Sequence, residues 1–226
     1  MIVVKFLLVL LIGYLLGSIP FGRIVSHYYT KKDITTFGSG KTGATNVLRT
    51  AGSKAAALVV FGDVSKGVFS VFFAFLIFGN DLMVLGSFGV GTLVAQVMAA
   101  LASVAGHIWS IFLKFKGGRG VATFFGGMIA LCPPVALIGG EVFFVSVGLT
   151  RYASFGSILG VISAYLALVP LTIIYKFPLE YSAYALIGGL VIIYMHRDNI
   201  NRLVAGTERK IGQKAEKATS IEKLGV

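Results

Sequence analysis

The polar residues of this sequence are gathered into three segments, and the first of them is rich in glycine. It runs from Gly38 to Gly52 and also carries hydroxyl, amide and cationic side chains. Glycine lets backbone N–H groups approach an anion closely, and the neighbouring side chains add hydrogen-bond donors. We therefore predict that this segment supplies half of a phosphate pocket. The residues concerned are Gly38, Ser39, Gly40, Lys41, Gly43, Thr45, Asn46 and Arg49.

The second segment is a basic, glycine-rich turn that precedes an apolar helix. A helix that begins at this turn would present free N-terminal amides and the positive end of its dipole, with two cations beside them. These features predict a second phosphate-binding element. A cytoplasmic loop with glycines for a tight turn is the alternative explanation. The residues concerned are Lys116, Gly117, Gly118, Arg119 and Gly120.

The third segment follows the last apolar run of the chain. His196, Asn199 and Arg202 are spaced three residues apart, so one face of a helix would present all three side chains. Glu208 could orient Arg202 through a charge-assisted hydrogen bond. We expect this face to complete one anion-binding site with the other two segments.

The composition places these segments in an integral membrane protein. The chain has 226 residues, 56% of them hydrophobic and 13% charged, and its mean hydropathy is +0.88. The net charge of +11 comes from Lys and Arg between apolar runs, as in cytoplasmic loops, which disfavours a nucleic-acid-binding face. The single cysteine, Cys132, excludes a disulfide framework and a thiolate metal site, so we expect neither a metal nor a cofactor.

The apolar runs predict an all-α membrane bundle of seven helices. Only Cys132, Pro133 and Pro134 separate the short fourth and fifth runs, so six spans with a re-entrant pair is the alternative. Residues 1–226 would form a single membrane domain with a basic cytoplasmic tail at 196–226. The predicted spans are 2–25, 55–79, 86–112, 120–132, 134–150, 153–175 and 180–195.

The basic residues predict how the bundle is oriented. With seven spans and the N-terminus outside, every Lys and Arg except Lys5, Lys66 and Lys176 lies at the cytoplasmic side. All three polar segments and the C-terminus then face the cytoplasm. The first apolar run could pass for a secretory signal peptide, but the cations that follow it favour an uncleaved span.

Charged residues inside the predicted spans need partners, because an isolated charge in hydrocarbon is costly. Asp63 and Lys66 share a helix face and are expected to form a buried ion pair that either locks two helices or lines the pocket. Glu141 has no basic neighbour in the sequence and is expected to be protonated or to have a distant partner. Two glycine pairs predict close helix contacts, namely Gly13 with Gly17 and Gly156 with Gly160.

Three other function classes fit the sequence less well. Residues 35–42 miss the nucleotide-binding P-loop pattern only at its first glycine, but no strand precedes them. Acyltransferases of the soluble or monotopic type use a His-x-x-x-x-Asp pair, and none of the three histidines has an aspartate five residues later. A small transporter of anions or phosphate esters needs polar positions across the bilayer, whereas the predicted external half carries few charges.

Together the three segments resemble those of the bacterial acyl-phosphate:glycerol-3-phosphate acyltransferases, the PlsY family. Several motifs occur in the same order along the whole chain, which makes the resemblance more specific than any one motif. The sequence departs from the usual pattern at Lys41, Ser110 and Arg119, where asparagine, proline and lysine are usual or common. The matching positions are 17–20, 38–40, 43–46, 49, 63, 66–67, 106–107, 115–118, 196–197, 199–200, 202–203, 206 and 208.

The resemblance implies a multi-pass enzyme of the bacterial inner membrane with its active site facing the cytoplasm. Its reaction would move a fatty acyl group from acyl phosphate to the 1-hydroxyl of sn-glycerol 3-phosphate, giving lysophosphatidic acid and phosphate. Membrane lipid is then a partner, and no cofactor, nucleic acid or obligate protein partner is implied. The hydroxyl proton would go to the donor phosphate or to His196. The implied catalytic residues are Ser39, Arg49, Lys116, His196 and Asn199, and the implied substrate-binding residues are Gly38, Gly40, Gly43, Thr45, Asn46, Gly117, Gly118, Arg119, Gly120, Arg202 and Glu208.

Overall fold

The computed structural model describes residues 2–79, 81–85 and 88–213, and these residues are mostly helical. The predicted tail at 196–226 lies outside the described residues from 214 onwards. Short 3-10 turns occupy Ile34–Thr36 and Ile111–Leu113, and a small antiparallel hairpin pairs β1 (Met83–Leu85) with β2 (Phe88–Val90). The helices are α1 (Ile2–Ser18), α2 (Phe21–Thr30), α3 (Ala44–Phe78), α4 (Thr92–Ile108), α5 (Val121–Leu131), α6 (Pro133–Thr150), α7 (Ala153–Ile174), α8 (Leu179–Met195) and α9 (Arg197–Val204).

The prediction of an all-helical membrane protein is confirmed. Five segments of the described chain are long and apolar enough to cross a bilayer, and there are six if α8 and α9, bent by 59°, count as one span. Helix α5 has 11 residues, so it extends about 16 Å, roughly half of a ~30 Å hydrocarbon core. Counting the described helices that are long enough to cross a bilayer therefore gives five or six spans instead of the predicted seven. The five segments are Ile2–Thr30, Ala44–Phe78, Thr92–Leu113, Pro133–Thr150 and Ala153–Ile174.

Four predicted helix boundaries agree closely with the structure, and three do not. The last four predicted segments match α5 to α8 within one residue at each end. The segment 2–25 is instead two helices, because the chain breaks before Pro20, whose ring fixes its backbone and removes an N–H donor. The second helix starts at Ala44 instead of 55 and bends at Gly52, whose φ is +85°. The third starts at Thr92 instead of 86, since the hairpin precedes it.

Close contacts between glycines and neighbouring backbones hold helix pairs together. A Cβ on Gly17 would overlap the carbonyl oxygen of Ser103, and one on Gly106 would overlap that of Tyr14, so α1 and α4 approach at backbone distance. Near the cytoplasmic end predicted for this pair, the Ser110 hydroxyl donates to the Ser18 carbonyl over 2.6 Å. The departure at Ser110 thus supplies a hydrogen bond between the two helices.

A second glycine contact joins α6 to α7. A Cβ on Gly156 would lie 2.8 Å from the Phe143 carbonyl oxygen, and one on Gly160 would lie 2.9 Å from that of Gly139. Both predicted glycine pairs therefore lie at close helix contacts. In the core between α5 and α8, Phe124 and Tyr184 stack with ring centroids 5.1 Å apart, and the Tyr184 hydroxyl donates to the Phe124 carbonyl over 2.9 Å. These contacts position the start of α5 relative to the first half of α8.

We predict that Gly17→Ala destabilises the bundle, because the new methyl group must displace the backbone of α4. Overpacking of this kind costs about 1–3 kcal/mol. Gly140→Ala in α6 is the matched control, since nothing lies within 4 Å of its added Cβ, and alanine favours helix by up to about 1 kcal/mol. Thermal unfolding in one detergent should give a lower midpoint for Gly17→Ala than for the control. Equal midpoints would contradict the close contact.

Candidate active site

The first polar segment is organised from inside by Asn46. This side chain is 3% exposed, and its amide group donates to the carbonyls of Lys41 at 2.9 Å, Phe37 at 3.0 Å and Ile34 at 3.3 Å. Its amide hydrogens are therefore used within the loop, and Asn46 holds the loop in shape. The predicted role of this amide as a phosphate donor stays a prediction, because an anion would have to compete with these carbonyls.

Two glycines give this loop its path past the start of α3. Gly38 and Gly40 have φ values of +55° and +65°, in the left-handed region that glycine adopts without steric cost. Ser39 lies exposed between them. Helix α3 then begins after Gly43 with no side-chain cap, so its first amides, including that of Thr45, are free to face an anion.

The second segment folds back onto the end of α4. The Gly117 amide donates to the Ile108 carbonyl over 2.9 Å, and the Gly118 amide donates to the His107 carbonyl over 3.1 Å. These two amides were predicted to bind phosphate, and that stays a prediction, because here they cap α4 and an anion would have to compete with its carbonyls. The residues left for an anion are exposed Lys116, half-buried Arg119 and the start of α5 after Gly120, where no side chain caps the helix.

Glu208 joins the elements of the third segment. Its Oε1 accepts from the Asn199 amide at 2.7 Å and from the Ser154 hydroxyl at 2.8 Å, and its Oε2 accepts from Arg202 Nε at 2.8 Å. The expected bond between Glu208 and Arg202 is therefore present. Burial would raise the pKa of Glu208, but the hydrogen bonds from Asn199, Ser154 and Arg202 outweigh it, and the pKa lies below its ordinary value.

Arg49 connects the first segment with the third. Its Nη2 donates to the Arg209 carbonyl over 2.9 Å and more weakly to the Lys210 carbonyl over 3.4 Å. The Nε atom of Arg49 is buried and has no hydrogen-bond partner among the described residues. Arg49 therefore holds the chain beyond α9 against α3, and this guanidinium has a donor left for an anion.

The cations of the three segments lie close enough to repel one another. Burial, followed by the charge of Arg202, lowers the pKa of Arg119 to about 10, although Glu208 and Asp198 act in the opposite direction. Burial and then Arg119 lower the pKa of Lys41. Lys41 is thus a neighbour of Arg119 from a different segment. A bound anion would relieve this repulsion, which favours anion binding.

His196 lies between α8 and α9 and is 2% exposed. Its Nδ1 donates to the Ile192 carbonyl over 2.8 Å, so in the neutral ring the free lone pair is on Nε2. Burial, and then the charge of Arg119, lower the pKa of this histidine to about 4. At neutral pH it is therefore an uncharged hydrogen-bond acceptor.

The structure brings the three segments together and adds one residue that the sequence reasoning missed. Ser154 is in the first turn of α7, and it reaches Glu208 across 54 positions of sequence. A single serine at the start of an apolar helix carries no signal for such a contact. The wide spacing of the two residues hides their pairing from any local pattern.

We predict that Glu208→Gln destabilises the protein at pH 7, because an amide cannot replace a carboxylate that accepts three hydrogen bonds. Hydrogen bonds to charged groups contribute about 1.5–3 kcal/mol each. Since the folded pKa is lowered, the carboxylate's stabilisation is fully present above its ordinary pKa of 4.5 and is lost as the pH falls through the folded value. The difference in thermal midpoint from the unsubstituted protein should be large at pH 7 and smaller at pH 4.

Glu180→Gln is the control for this comparison, because the Glu180 carboxylate makes no hydrogen bond or ion pair among the described residues. Its midpoint should follow that of the unsubstituted protein at both pH values. A Glu208→Gln protein with an unchanged midpoint at pH 7 would show that the carboxylate does not hold this segment.

Comparison with known proteins identifies the family. The model of the family described as glycerol-3-phosphate acyltransferase matches residues 7–206. A protein of Dehalococcoides mccartyi named glycerol-3-phosphate acyltransferase 3 is 60% identical over 215 residues, which cover 95% of this chain and 100% of the relative. The glycerol-3-phosphate acyltransferase of Clostridioides difficile is 41% identical and covers 94% of this chain and 98% of its own length.

Two solved structures of a membrane enzyme have the same fold. Both are crystal structures of PlsY (YgiH), described as an integral membrane glycerol 3-phosphate acyltransferase. The glycerol 3-phosphate form has a TM-score of 0.78 at 37% identity and covers 92% of this chain and 96% of its own. The lysophosphatidic acid form has a TM-score of 0.76 at 35% identity and covers 98% and 99%. The sequence, the fold and the cationic pocket thus agree that the chain belongs to the glycerol-3-phosphate acyltransferase family.

Proposed function

We propose that this membrane acyltransferase of phospholipid synthesis takes its acyl group from acyl phosphate and transfers it to the 1-hydroxyl of sn-glycerol 3-phosphate. The single observation that carries the proposal is that Lys41 and Arg202, from the first and third segments, both lie close enough to Arg119 of the second to interact with its charge. Both proposed substrates carry phosphate, and solved relatives are described in glycerol 3-phosphate and lysophosphatidic acid forms. A cationic pocket that holds two phosphates side by side would bring the reacting groups together.

The proposed reaction needs no covalent intermediate, because acyl phosphate is already a mixed anhydride. The glycerol hydroxyl oxygen attacks the acyl carbonyl carbon, the bond from that carbon to the phosphate oxygen breaks, and phosphate leaves. Negative charge develops on the carbonyl oxygen and on the leaving phosphate. Cations and helix N-termini fixed near those atoms stabilise that charge without reorganising.

We assign the hydroxyl proton to the phosphate of the acyl donor. A general base works best when its pKa is near the working pH, and the pKa of His196 is about 4. Its Nε2 can still accept a hydrogen bond from the hydroxyl and so orient it. Asn199 has a buried Oδ1 with no partner among the described residues, and this atom is a second acceptor for a substrate hydroxyl.

Exposure and contacts divide the other predicted residues between two roles. Ser39 and Lys116 are exposed, so they are accessible to an entering substrate, and we assign them to the donor phosphate. Arg202 keeps its outer guanidinium nitrogens free of protein partners in the described chain while Glu208 holds its Nε. We therefore assign Arg202 to the phosphate of glycerol 3-phosphate, with Arg119 between the two phosphates.

The proposed topology has seven spans, an external N-terminus and the pocket at the cytoplasmic face of the bacterial inner membrane. The distribution of basic residues supports it. A contact at the other end of the bundle also supports it, because Lys5 in α1 pairs with Asp81 after α3 at 2.7 Å, which places these two predicted external positions together. Helix α5 would be the short fourth span, joined to α6 at Cys132. The transporter alternative is not favoured, since the relatives are named as acyltransferases.

The proposal predicts that the purified protein in detergent and EDTA converts palmitoyl phosphate and glycerol 3-phosphate into lysophosphatidic acid and phosphate in equal amounts. Arg119→Met should lower kcat/KM by roughly 100- to 1,000-fold, as expected for loss of a charge-stabilising donor. Arg197→Met is the matched control, because Arg197 is exposed and stacks on Tyr194 with its guanidinium 4.7 Å from the ring centroid.

Each arm of this experiment can fail separately. Product from palmitoyl-CoA but not from palmitoyl phosphate would overturn the proposed donor. A folded protein that gives no product with either donor would overturn the reaction. An active Arg119→Met protein would overturn the role given to the pocket.

A further inference from the structure

A buried ionic cluster lies beneath the second polar segment and has no place in the reaction described above. Lys66 Nζ lies 2.8 Å from Asp63 Oδ1 and 3.3 Å from His107 Nδ1, and the Asp63 and His107 atoms are 3.5 Å apart. The side chains of Asp63, Lys66 and His107 are 3%, 2% and 6% exposed. The predicted pair of Asp63 and Lys66 is thus present, and His107 on α4 extends it.

Stability alone does not explain this cluster. Removing two charges from water is expensive, and replacement of buried ion pairs by apolar residues of similar size is often neutral or stabilising. Charged residues between membrane helices usually have functional roles. Lys66 Nζ pairs with the Asp63 carboxylate and lies within 3.3 Å of the ring nitrogen, so the ion pair restrains the rotation of the imidazole.

The imidazole in turn supports the glycine turn of the second segment. A Cβ on Gly118 would overlap Nε2 of His107, so the backbone of Gly118 rests directly against the ring. The main-chain carbonyl of His107 also accepts the Gly118 amide over 3.1 Å. One residue of α4 therefore contacts the turn through both its ring and its backbone, and no larger residue than glycine fits at position 118 without displacing it.

The turn carries the two cations of the second segment. Lys116 is two residues before Gly118 and Arg119 is one residue after it, so a shift of the Gly118 backbone moves both. Positioning errors of about 1 Å at a reacting site can lower rates by about 100-fold. The buried cluster is thereby linked mechanically to the pocket.

We propose that Asp63, Lys66 and His107 are positioning residues for substrate phosphate: the ion pair orients the imidazole, the imidazole supports Gly118, and the turn holds Lys116 and Arg119. This inference rests on the proposed function for the identity of the phosphates: Lys116 is assigned to the phosphate of the acyl donor and Arg119 lies between the two phosphates, so glycerol 3-phosphate binding depends on the turn through Arg119. None of the three residues touches substrate in this account. Their effect reaches the pocket only through the turn.

The test removes both charges together, because removal of one would leave the other buried and unpaired. The double variant Asp63→Leu/Lys66→Met should keep a thermal midpoint close to that of the unsubstituted protein. Its glycerol 3-phosphate binding, measured by calorimetry without acyl donor, should weaken about 10- to 100-fold. KM for glycerol 3-phosphate should rise by a similar factor, and kcat at saturation should fall as well, because the displaced Lys116 and Arg119 also stabilise charge during the reaction.

Two controls separate positioning from general stability. Lys5→Met/Asp81→Leu removes an ion pair of similar length, 2.7 Å, at the other end of the bundle and should leave binding unchanged. His107→Gln places its terminal amide near the position of Nε2, against which Gly118 rests, so it should retain more binding than His107→Ala. A purely structural role predicts a lower midpoint with unchanged binding by the folded protein.

The outcomes distinguish this inference from the proposed function. Unchanged glycerol 3-phosphate binding by the folded Asp63→Leu/Lys66→Met protein overturns the positioning role, even if the unsubstituted protein is fully active. Weakened binding supports the positioning role, even if the unsubstituted protein does not use acyl phosphate.

Discussion

The carboxylate of Glu208 is the interaction on which the pocket depends. It is nearly buried, and it accepts hydrogen bonds from Ser154 of α7, Asn199 of α9 and Arg202. A membrane bundle brings helices together by packing, but it does not by itself orient polar groups at their ends. Here one anion fixes the direction of an amide and a guanidinium, and the same stretch of chain is held from the other side by Arg49. The shape of the pocket follows from these few bonds.

The pocket lies where uncapped helix N-termini and clustered cations occur together. Helices α3, α5 and α9 begin in the three polar segments without side-chain caps, so no capping side chain accepts a hydrogen bond from their first backbone amides. The cations that these segments bring together are also partly removed from water, and burial first and mutual repulsion second lower the pKa values of Arg119 and Lys41. A phosphorylated substrate supplies both the missing acceptors and the missing negative charge. The free enzyme thus already holds the donors and charges that a phosphorylated substrate needs.

The sequence was informative where one residue type has one physical consequence. Glycines at helical spacing predicted a close helix contact in the first apolar run, which α1 makes with α4. Two oppositely charged residues on one helix face predicted the pair of Asp63 and Lys66. The sequence was less informative where a polar group can form hydrogen bonds either within the protein or with a ligand. The amides of Asn46, Gly117 and Gly118 are suited to phosphate by type, yet carbonyls of the protein use them first. Only three-dimensional distances decide between those uses.

The central claim, that three distant segments form one pocket at the cytoplasmic face, is tested most directly by cysteine labelling. Cys132 is buried, and a Cys132→Ser background permits single cysteines at the exposed positions Ser39, Lys114 and Thr207, with Leu82 at the opposite end as control. With a membrane-impermeant maleimide, the first three should react only in inside-out vesicles, and the control only in right-side-out vesicles. Reaction of any of the first three from the outside would contradict the account.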